Sequence, residues 1–434
     1  MISRRRFLEV GGVTAGMAVA SHSRVAAAAE GADDASLPPS LAQLRSRKGE
    51  ATPITREERH ERQERARQLM SENALDAILL MEGTSLRYFT GIRWWGGERA
   101  FALVLPAKGA AFYVCPAFEE GRAREQIASA PDGEQPDVRV WQEDESPYLR
   151  IAQGLKERGI ASGKLGLEET VRFVFADGIA KAASQATIAS ATPVTAGCRM
   201  IKNAHEIASM RLAAQVTLAA YQAAYLAVKD GMTQPQLEAL VQKAHERLGF
   251  PGGADVQVGE FSAFPHGSVA PQVVHEGTIV LLDGGCAVEG YQSDITRTYV
   301  LGKASDKMKS VFDIVLRAQS AALAVARPGA ECGSVDAAAR KVVMDGGFGP
   351  DYKYFTHRLG HGLGMDGHEW PYLVRGNLTK LQANMTTSNE PGIYIRGEFG
   401  IRIEDDMHIT ESGAELFTPQ PRSLEDPFGK GSPG

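Results

Sequence analysis

Five residues in the second half of the chain carry side chains that divalent cations favour: Asp283, Asp294, His361, Glu390 and Glu404. Asp283 closes the apolar run TIVLL, and Asp294 stands in the following segment YQSDITRTYVLG. Antiparallel pairing of the two segments across the AVEG turn would bring both carboxylates to one place. A carboxylate after so apolar a run is costly to bury unless a cation or a cluster of donors meets it. The theme recurs downstream, where Pro391 forces Glu390 into an extended conformation. The alternation Ile401, Arg402, Ile403, Glu404 puts Arg402 and Glu404 on one face. Taken singly, each acid also reads as a solvated turn residue, and Glu404, followed by Asp405 and Asp406, as an acidic strand end.

The joint set is what points to catalysis. Four carboxylates and the imidazole of the GHG tripeptide carry a formal charge of about −4, which two divalent ions would neutralise, leaving room for a bridging hydroxide. Oxygen-rich ligation with a single imidazole suits Mn2+, with Co2+, Fe2+ or Zn2+ as alternatives, and argues against a structural zinc site of thiolates. Two neighbouring ions can hold a nucleophilic hydroxide and polarise a substrate carbonyl. The stretch HRLGHGLGMDGHEW, residues 357–370, supplies His361 among glycines that let backbone approach closely. Its GLGMDG portion formally matches a dinucleotide-binding GxGxxG, but no strand-turn-helix unit surrounds it.

The ordered segments PHGS, LLDGG, GYQSDITRT, LGHGLGMDGHE, NEPGIYI and GIRIEDD lie between Glu206 and Thr418, and together they resemble the creatinase/prolidase family of pita-bread metallopeptidases. The resemblance implies that Asp283, Asp294, His361, Glu390 and Glu404 are the metal ligands. Asp294 and Glu404 would touch both ions, and Glu390 would steer or deprotonate the attacking water. His266, His357 and His368 would hydrogen-bond the substrate carbonyl or shuttle its proton, work that suits a neutral imidazole. Arg402, one pleat from Glu404, is expected to pair with a ligand carboxylate, and Tyr394 to line the same pocket. The implied reaction is hydrolysis of the bond before proline, in dipeptides or at peptide N-termini. Proline lacks an amide hydrogen and fixes φ, so such bonds call for a dedicated pocket. A metal-dependent hydrolase or lyase of a non-peptide small molecule would keep the same ligands. A metal-free creatinase-like hydrolase or a non-catalytic binding protein would show a broken ligand set, and here the set is complete.

The elements that must position these residues follow from periodicity and turn chemistry. Residues 30–55, with SLPPS and SRKGEATP, suggest a linker or extended arm rather than a packed element. REERHERQERARQLMSENAL and SPYLRIAQGLKERG are helical, and DAILLME, RAFALVLPA, GAAFYVCP, DVRVWQ and KLGLEE read as short strands. Residues 56–200 are therefore an N-terminal creatinase-like α/β domain. Residues 201–420 follow as an α+β pita-bread domain of antiparallel hairpins flanked by helices. One of those helices opens at TQPQ, where Thr233 and Gln236 can cap each other; two more span Asp306 to Arg327 and Val335 to Met344, the latter bounded by Ser334. GIYIR and FGIRIEDDMHIT read as one hairpin, and residues 421–434 as a frayed tail. In relatives the first domain mediates dimerisation, so a homodimer or higher homo-oligomer is expected, and Trp94 and Trp95 in YFTGIRWWGG either reach a substrate pocket or pack in the domain core.

A net charge of −6 without a basic patch excludes a nucleic-acid backbone as partner and leaves a peptide or small-molecule substrate. Residues 1–29 combine SRRRFL, a short apolar run and the small-residue stretch VAAAAE, which reads as a twin-arginine export signal. The apolar run is too short to span a bilayer, so no stable membrane anchor is expected, and the mature chain would be periplasmic or secreted. Cys115, Cys198, Cys286 and Cys332 lie far apart without metal or redox spacing and are expected to be structural.

Overall fold

The computed structural model describes residues 37–428, so the export signal expected over 1–29 and the last residues of the tail lie outside the described residues. A short helix α1 (Pro39–Ala42) opens the described chain, and α2 (Arg56–Glu72) begins the first domain. The start of α2 is fixed by Thr55, whose side chain accepts from the Glu58 amide at 3.1 Å while the Glu58 carboxylate accepts from the Thr55 amide at 2.8 Å. There follow β1 (Ala77–Leu80), α3 (Thr84–Thr90), β2 (Ala102–Pro106), β3 (Phe112–Pro116), α4 (Glu120–Ile127), β4 (Val138–Trp141), α5 (Pro147–Glu157), β5 (Lys164–Leu167), α6 (Phe173–Ala182), β6 (Thr187–Ser190) and α7 (Thr192–Arg199). They build one six-stranded mixed sheet of order β4-β3-β2-β1-β5-β6. Strands β1, β2 and β3 are buried along their whole length, because helices cover both faces, which is why they read as continuous apolar runs. The edge strand β6, Thr-Ile-Ala-Ser, is half exposed and too polar to stand out in the sequence.

The second domain starts at α8 (Ala204–Tyr225), capped reciprocally by Asn203 and Glu206, and continues with α9 (Gln234–Leu248), where Gln236 accepts from the Thr233 amide at 3.0 Å as its position predicts. Strands β7 (Gly252–Val258), β8 (Ile279–Val288), β9 (Tyr291–Gln292) and β10 (Ile295–Val300) form an antiparallel sheet with β8 at its centre. Helices α10 (Asp306–Val325) and α11 (Cys332–Asp345) pack against each other before a second group of strands: β11 (Gly360–Gly362), β12 (Glu369–Leu373), β13 (Thr386–Asn389), β14 (Gly392–Ile395), β15 (Phe399–Arg402), β16 (Asp405–Ile409) and β17 (Ala414–Leu416). The five-stranded order is β12-β11-β13-β16-β17, with β14-β15 as a separate hairpin.

Four expectations need correction. The segment GIRIEDDMHIT is two strands: β15 pairs with β14, the chain breaks at Ile403 and Glu404, and β16 joins β13 in another sheet. Helix α11 begins at Cys332, so Ser334 lies inside its first turn, bonding the Glu331 carbonyl at 2.7 Å. The arm before α2 is packed: Leu41 is fully buried against α8 and α9, the Ser40 hydroxyl donates to the Ala223 carbonyl at 2.8 Å, and the Arg47 amide to that of Leu248 at 2.8 Å. The tail is also held as far as Phe428, with Leu424 buried and its carbonyl accepting from the Val300 amide. In both terminal segments a single large apolar side chain finds a groove that local composition does not reveal.

The two domains share one apolar core, running from Met70 and Phe89 through Met210 and Tyr221 to Val280 and Leu363. Polar ties cross the same boundary. Arg62 of α2 meets Glu206 of α8 at 3.2 Å and the Tyr291 hydroxyl at 2.9 Å, all three buried. Arg199 reaches Asp366 and Glu369 at 2.5 Å; Lys202, on the second domain's side, also meets Glu369 at 2.8 Å. All four cysteines are buried and unpaired, and burial raises each thiol well above its ordinary range, so they pack as small apolar residues.

If the arm is part of the second domain's core, Leu41→Ala should lower unfolding stability by about 2–4 kcal/mol, measured as a shifted urea midpoint. A change within about 0.5 kcal/mol would mark the arm as unpacked surface.

Candidate metal centre

Each of the five acidic and imidazole positions is brought to one place by a different piece of backbone. Asp283 lies in β8 with Thr296 of β10 as its cross-strand partner, and Asp294 sits just before β10. His361 is the central residue of β11, Glu390 follows β13, and Glu404 bridges to Thr296 at the point where the chain leaves one sheet for another. Together with His266, His357, Arg358, His368, Pro265 and Arg402 they line a cavity of about 150 Å³. Tyr394 stands behind its wall, fully buried, with its hydroxyl between His357 and Arg402.

The glycines beside His361 are required by close approach. A Cβ on Gly360 would lie 2.2 Å from the Ser388 carbonyl oxygen, and one on Gly362 2.2 Å from that of Trp370. Any larger residue would push β11 away from its neighbours and carry the imidazole with it.

The electrostatics of the pocket are those of a set of acceptors lacking a cation. His361 Nδ1 lies 3.1 Å from the Gly362 carbonyl, which requires a hydrogen on Nδ1 and leaves Nε2 as a lone pair. That lone pair faces Glu390 at 3.4 Å and Asp294 at 3.8 Å. Burial, then the neighbouring His368, pushes the His361 pKa down to about 3, so the imidazole itself is uncharged near neutral pH. The carboxylates crowd one another as well. Burial and the charges of Asp283, Asp406 and Glu390 hold Asp294 well above the ordinary carboxylate range, and burial with Asp294, Glu390 and Asp283 does the same to Glu404. Burial lifts Glu390 to about 8. Asp283 alone is held low: burial is outweighed by Arg402, whose Nη2 donates to it at 2.6 Å, and by the Thr296 hydroxyl at 2.8 Å.

Ligand atoms within 4.8 Å of one another fall into three overlapping triads: His361, Glu390 and Glu404; Asp283, Asp294 and Glu404; and Asp294, His361 and His368. One imidazole nitrogen and several carboxylate oxygens converging on shared points is a donor set that fits hard or borderline divalent ions.

The supporting side chains have definite work. Arg402, 3 % exposed, donates to Asp283, to the Tyr394 hydroxyl at 2.8 Å and to the Thr296 oxygen at 3.1 Å. Thr296 lies 2.6 Å from Glu404 and 2.8 Å from Asp283, but its single proton serves only one of them at a time. His357 Nδ1 donates to the Arg358 carbonyl at 2.8 Å, so its Nε2 accepts from Tyr394 at 2.7 Å. Both nitrogens of His357 are thus engaged with protein, and burial followed by Arg402 lowers its pKa to about 3. His368 stacks on His361 with ring centroids 3.6 Å apart and, like His266, is exposed to the cavity mouth. None of the described residues hydrogen-bonds either ring.

Several contributors were missed by sequence reasoning. Thr296 shares the face of Asp294 two residues on, a period-2 signal that could have found it. The EDD run has three separate fates. Glu404 enters the cavity, Asp405 pairs with Arg297 at 2.6 Å with both fully buried, and Asp406 accepts from the Asp294 amide at 3.2 Å. Arg340 of α11 is buried against Asp336 at 2.8 Å, donates to the Phe355 and His357 carbonyls, and so braces the irregular segment leading into β11 and His361; nothing local in the sequence signals it. Of the two tryptophans, Trp94 stacks on Phe101 at 4.1 Å while Trp95 is 73 % exposed.

Comparison with known proteins agrees with this architecture. Residues 208–411 match metallopeptidase family M24, and residues 62–201 match the creatinase/prolidase N-terminal domain. The chain is 33 % identical over 372 residues to an Xaa-Pro dipeptidase of Lactobacillus delbrueckii subsp. lactis, covering 82 % of this chain and 96 % of that protein. Among solved structures it resembles the dipeptidase PepE of Mycobacterium ulcerans, with a TM-score of 0.81, 33 % identity and coverage of 86 % of this chain and 99 % of the other. It also resembles an Xaa-Pro dipeptidase from Bacillus anthracis, with a TM-score of 0.74, 30 % identity and coverage of 85 % and 99 %.

Two substitutions should separate ligation from support. His361→Ala should remove most of the protein-bound divalent metal, counted per chain by elemental analysis. Arg402→Met, which leaves Asp283 without its guanidinium, should weaken metal affinity by about 10–100-fold. Unchanged metal content in both variants would place the ions elsewhere.

Proposed function

The chain belongs to metallopeptidase family M24 and carries the creatinase/prolidase N-terminal domain; from that premise we propose that it is a metal-dependent exopeptidase hydrolysing the peptide bond before proline, with two divalent cations, of which Mn2+ suits the ligands best, held by Asp283, Asp294, His361, Glu390 and Glu404. The observation that carries this reading is the lone pair of His361 Nε2 aimed at carboxylate oxygens within overlapping triads. Without a cation such acceptors stay together only by holding protons between them, and a divalent ion takes the place of those protons. The full-length likeness to Xaa-Pro dipeptidases supplies the substrate class.

When bound, the cations supply Lewis acidity for the scissile carbonyl and lower the pKa of a water. The remaining work belongs to the chain. Glu390, half-buried in the cavity wall, takes the proton of the attacking water and returns it to the departing proline nitrogen. His368 and His266, exposed at the cavity mouth and without hydrogen-bond partners among the described residues, are placed to hydrogen-bond the substrate. His357 holds the Tyr394 hydroxyl, and through it Arg402, in position.

The proposal extends to the export and assembly of the chain. The SRRRFL segment supports twin-arginine export to the periplasm or beyond, and a pathway that carries folded proteins suits a domain that binds metal before export. A homodimer or higher homo-oligomer is the assembly proposed.

Dialysis against a chelator should abolish cleavage of an Xaa-Pro dipeptide, and added Mn2+ should restore it; full activity of metal-free protein would refute the assignment. Running the same assay on Xaa-Pro-led longer peptides and on non-proline dipeptides should show a preference for proline at the second position. Replacing Arg4 and Arg5 by lysine should leave the precursor in the cytoplasm by fractionation; unaltered export would sink the targeting proposal.

A further inference from the structure

A second, smaller cavity of about 50 Å³ lies at the boundary of the two domains, lined among others by Arg59, Arg62, Arg87, Arg93, Glu289 and Tyr291. It shares no residue with the cavity that holds the five acidic and imidazole positions. Four guanidinium groups face one carboxylate. Arg62 is neutralised by Glu206, and the nearby Glu58 is engaged with His205 and the Thr55 amide. Arg87 donates only to the Glu289 backbone carbonyl, at 3.2 Å, and among the described residues no hydrogen bond or ion pair is made by the side chains of Arg59 or Arg93. Arg62 is 6 % exposed, yet its Nε has no hydrogen-bond partner.

Glu289 and the nearby Glu58 offset part of this positive charge, and the excess left in a half-buried site costs free energy unless an anion completes it. Burial, then Arg62, holds the Arg59 guanidinium below its ordinary pKa; burial, then Arg93, does the same to Arg87, with Arg59 adding to it. The volume selects the ligand: it has room for about four water-sized groups, enough for one compact oxyanion and far too little for a nucleotide. We propose that this cavity binds one small oxyanion of the phosphate or sulfate class, gripped by Arg59 and Arg87 and closed by Arg93. Planar guanidinium forks match the paired oxygens of such an ion. Arg59 and Arg87 belong to α2 and α3 of the first domain, whereas Glu289 and Tyr291 flank the turn between β8 and β9, the hairpin that presents Asp283 and Asp294. An oxyanion here would therefore join the first domain to the strand pair behind the metal centre.

The test is calorimetric titration and thermal unfolding of the full-length, metal-loaded protein with inorganic phosphate, then sulfate, at fixed ionic strength set by chloride. Saturable binding of one ion per chain and a rise in Tm are expected. Arg59→Gln and Arg93→Gln should each raise the phosphate Kd by about tenfold or more, and Glu289→Gln should lower it. His361→Ala should keep the binding, which separates this cavity from phosphate adhering to the metal ions. The proposal is overturned if wild-type protein shows no saturable binding, if both arginine variants bind as it does, or if His361→Ala abolishes binding.

Discussion

Carboxylates that cannot all be charged in the space they share are the constraint around which the second domain is organised. Glu404 is buried with Asp294 and Glu390 half-buried around it, and His361 turns a lone pair toward the latter two. In water such a group of acceptors would disperse. Here the backbone forbids it: β11 is pinned between Ser388 and Trp370 by glycines too small to be replaced, and Glu404 sits where the chain steps from one sheet to another. The strain is electrostatic, and divalent cations held there would relieve it, which would make their binding part of the stability of the fold.

Around that charge the protein places a layer of fixed donors. Arg402 is the hub, touching Asp283, Thr296 and Tyr394, and Tyr394 in turn holds His357. Further out, the Arg297–Asp405 and Arg340–Asp336 pairs are buried in the same way, each bonded also to backbone carbonyls that carry neighbouring site residues. Buried pairs of this kind contribute little net stability, but each fixes a geometry that an apolar pair would leave free to drift. The first domain adds to this from outside, since Arg199 grips Asp366 and Glu369 on either side of His368, and Lys202, just after that domain, also holds Glu369.

The parts of the fold that sequence reasoning placed well are those governed by local rules. The reciprocal cap of Thr233 and Gln236, the apolar runs at β1 to β3 and the β8–β10 hairpin follow from residues close together in the chain. The errors came where a distant partner decides. Leu41 and Leu424 look like linker and tail until the grooves that bury them exist. The segment after Gly400 looks like one strand, because its alternation continues unbroken through residues that belong to two sheets.

For the site, motif order and alternation along strands singled out the five acidic and imidazole positions, the three other histidines and Arg402, which line one cavity, whereas Tyr394, expected in the same lining, stands behind it. That reading fixed which residue types were available for metal chemistry and which strands would carry them. It left open where the imidazole nitrogens point, because that depends on which carbonyl each ring meets: His357 is tied on both sides, whereas His368 is free to face a substrate. It also left open the separate fates of Glu404, Asp405 and Asp406, and the gathering of Arg59, Arg87 and Arg93 around the Glu289 turn. Charges far apart in the chain interact only once packing removes the water between them, so their partners are set by the tertiary fold and by nothing nearer in sequence.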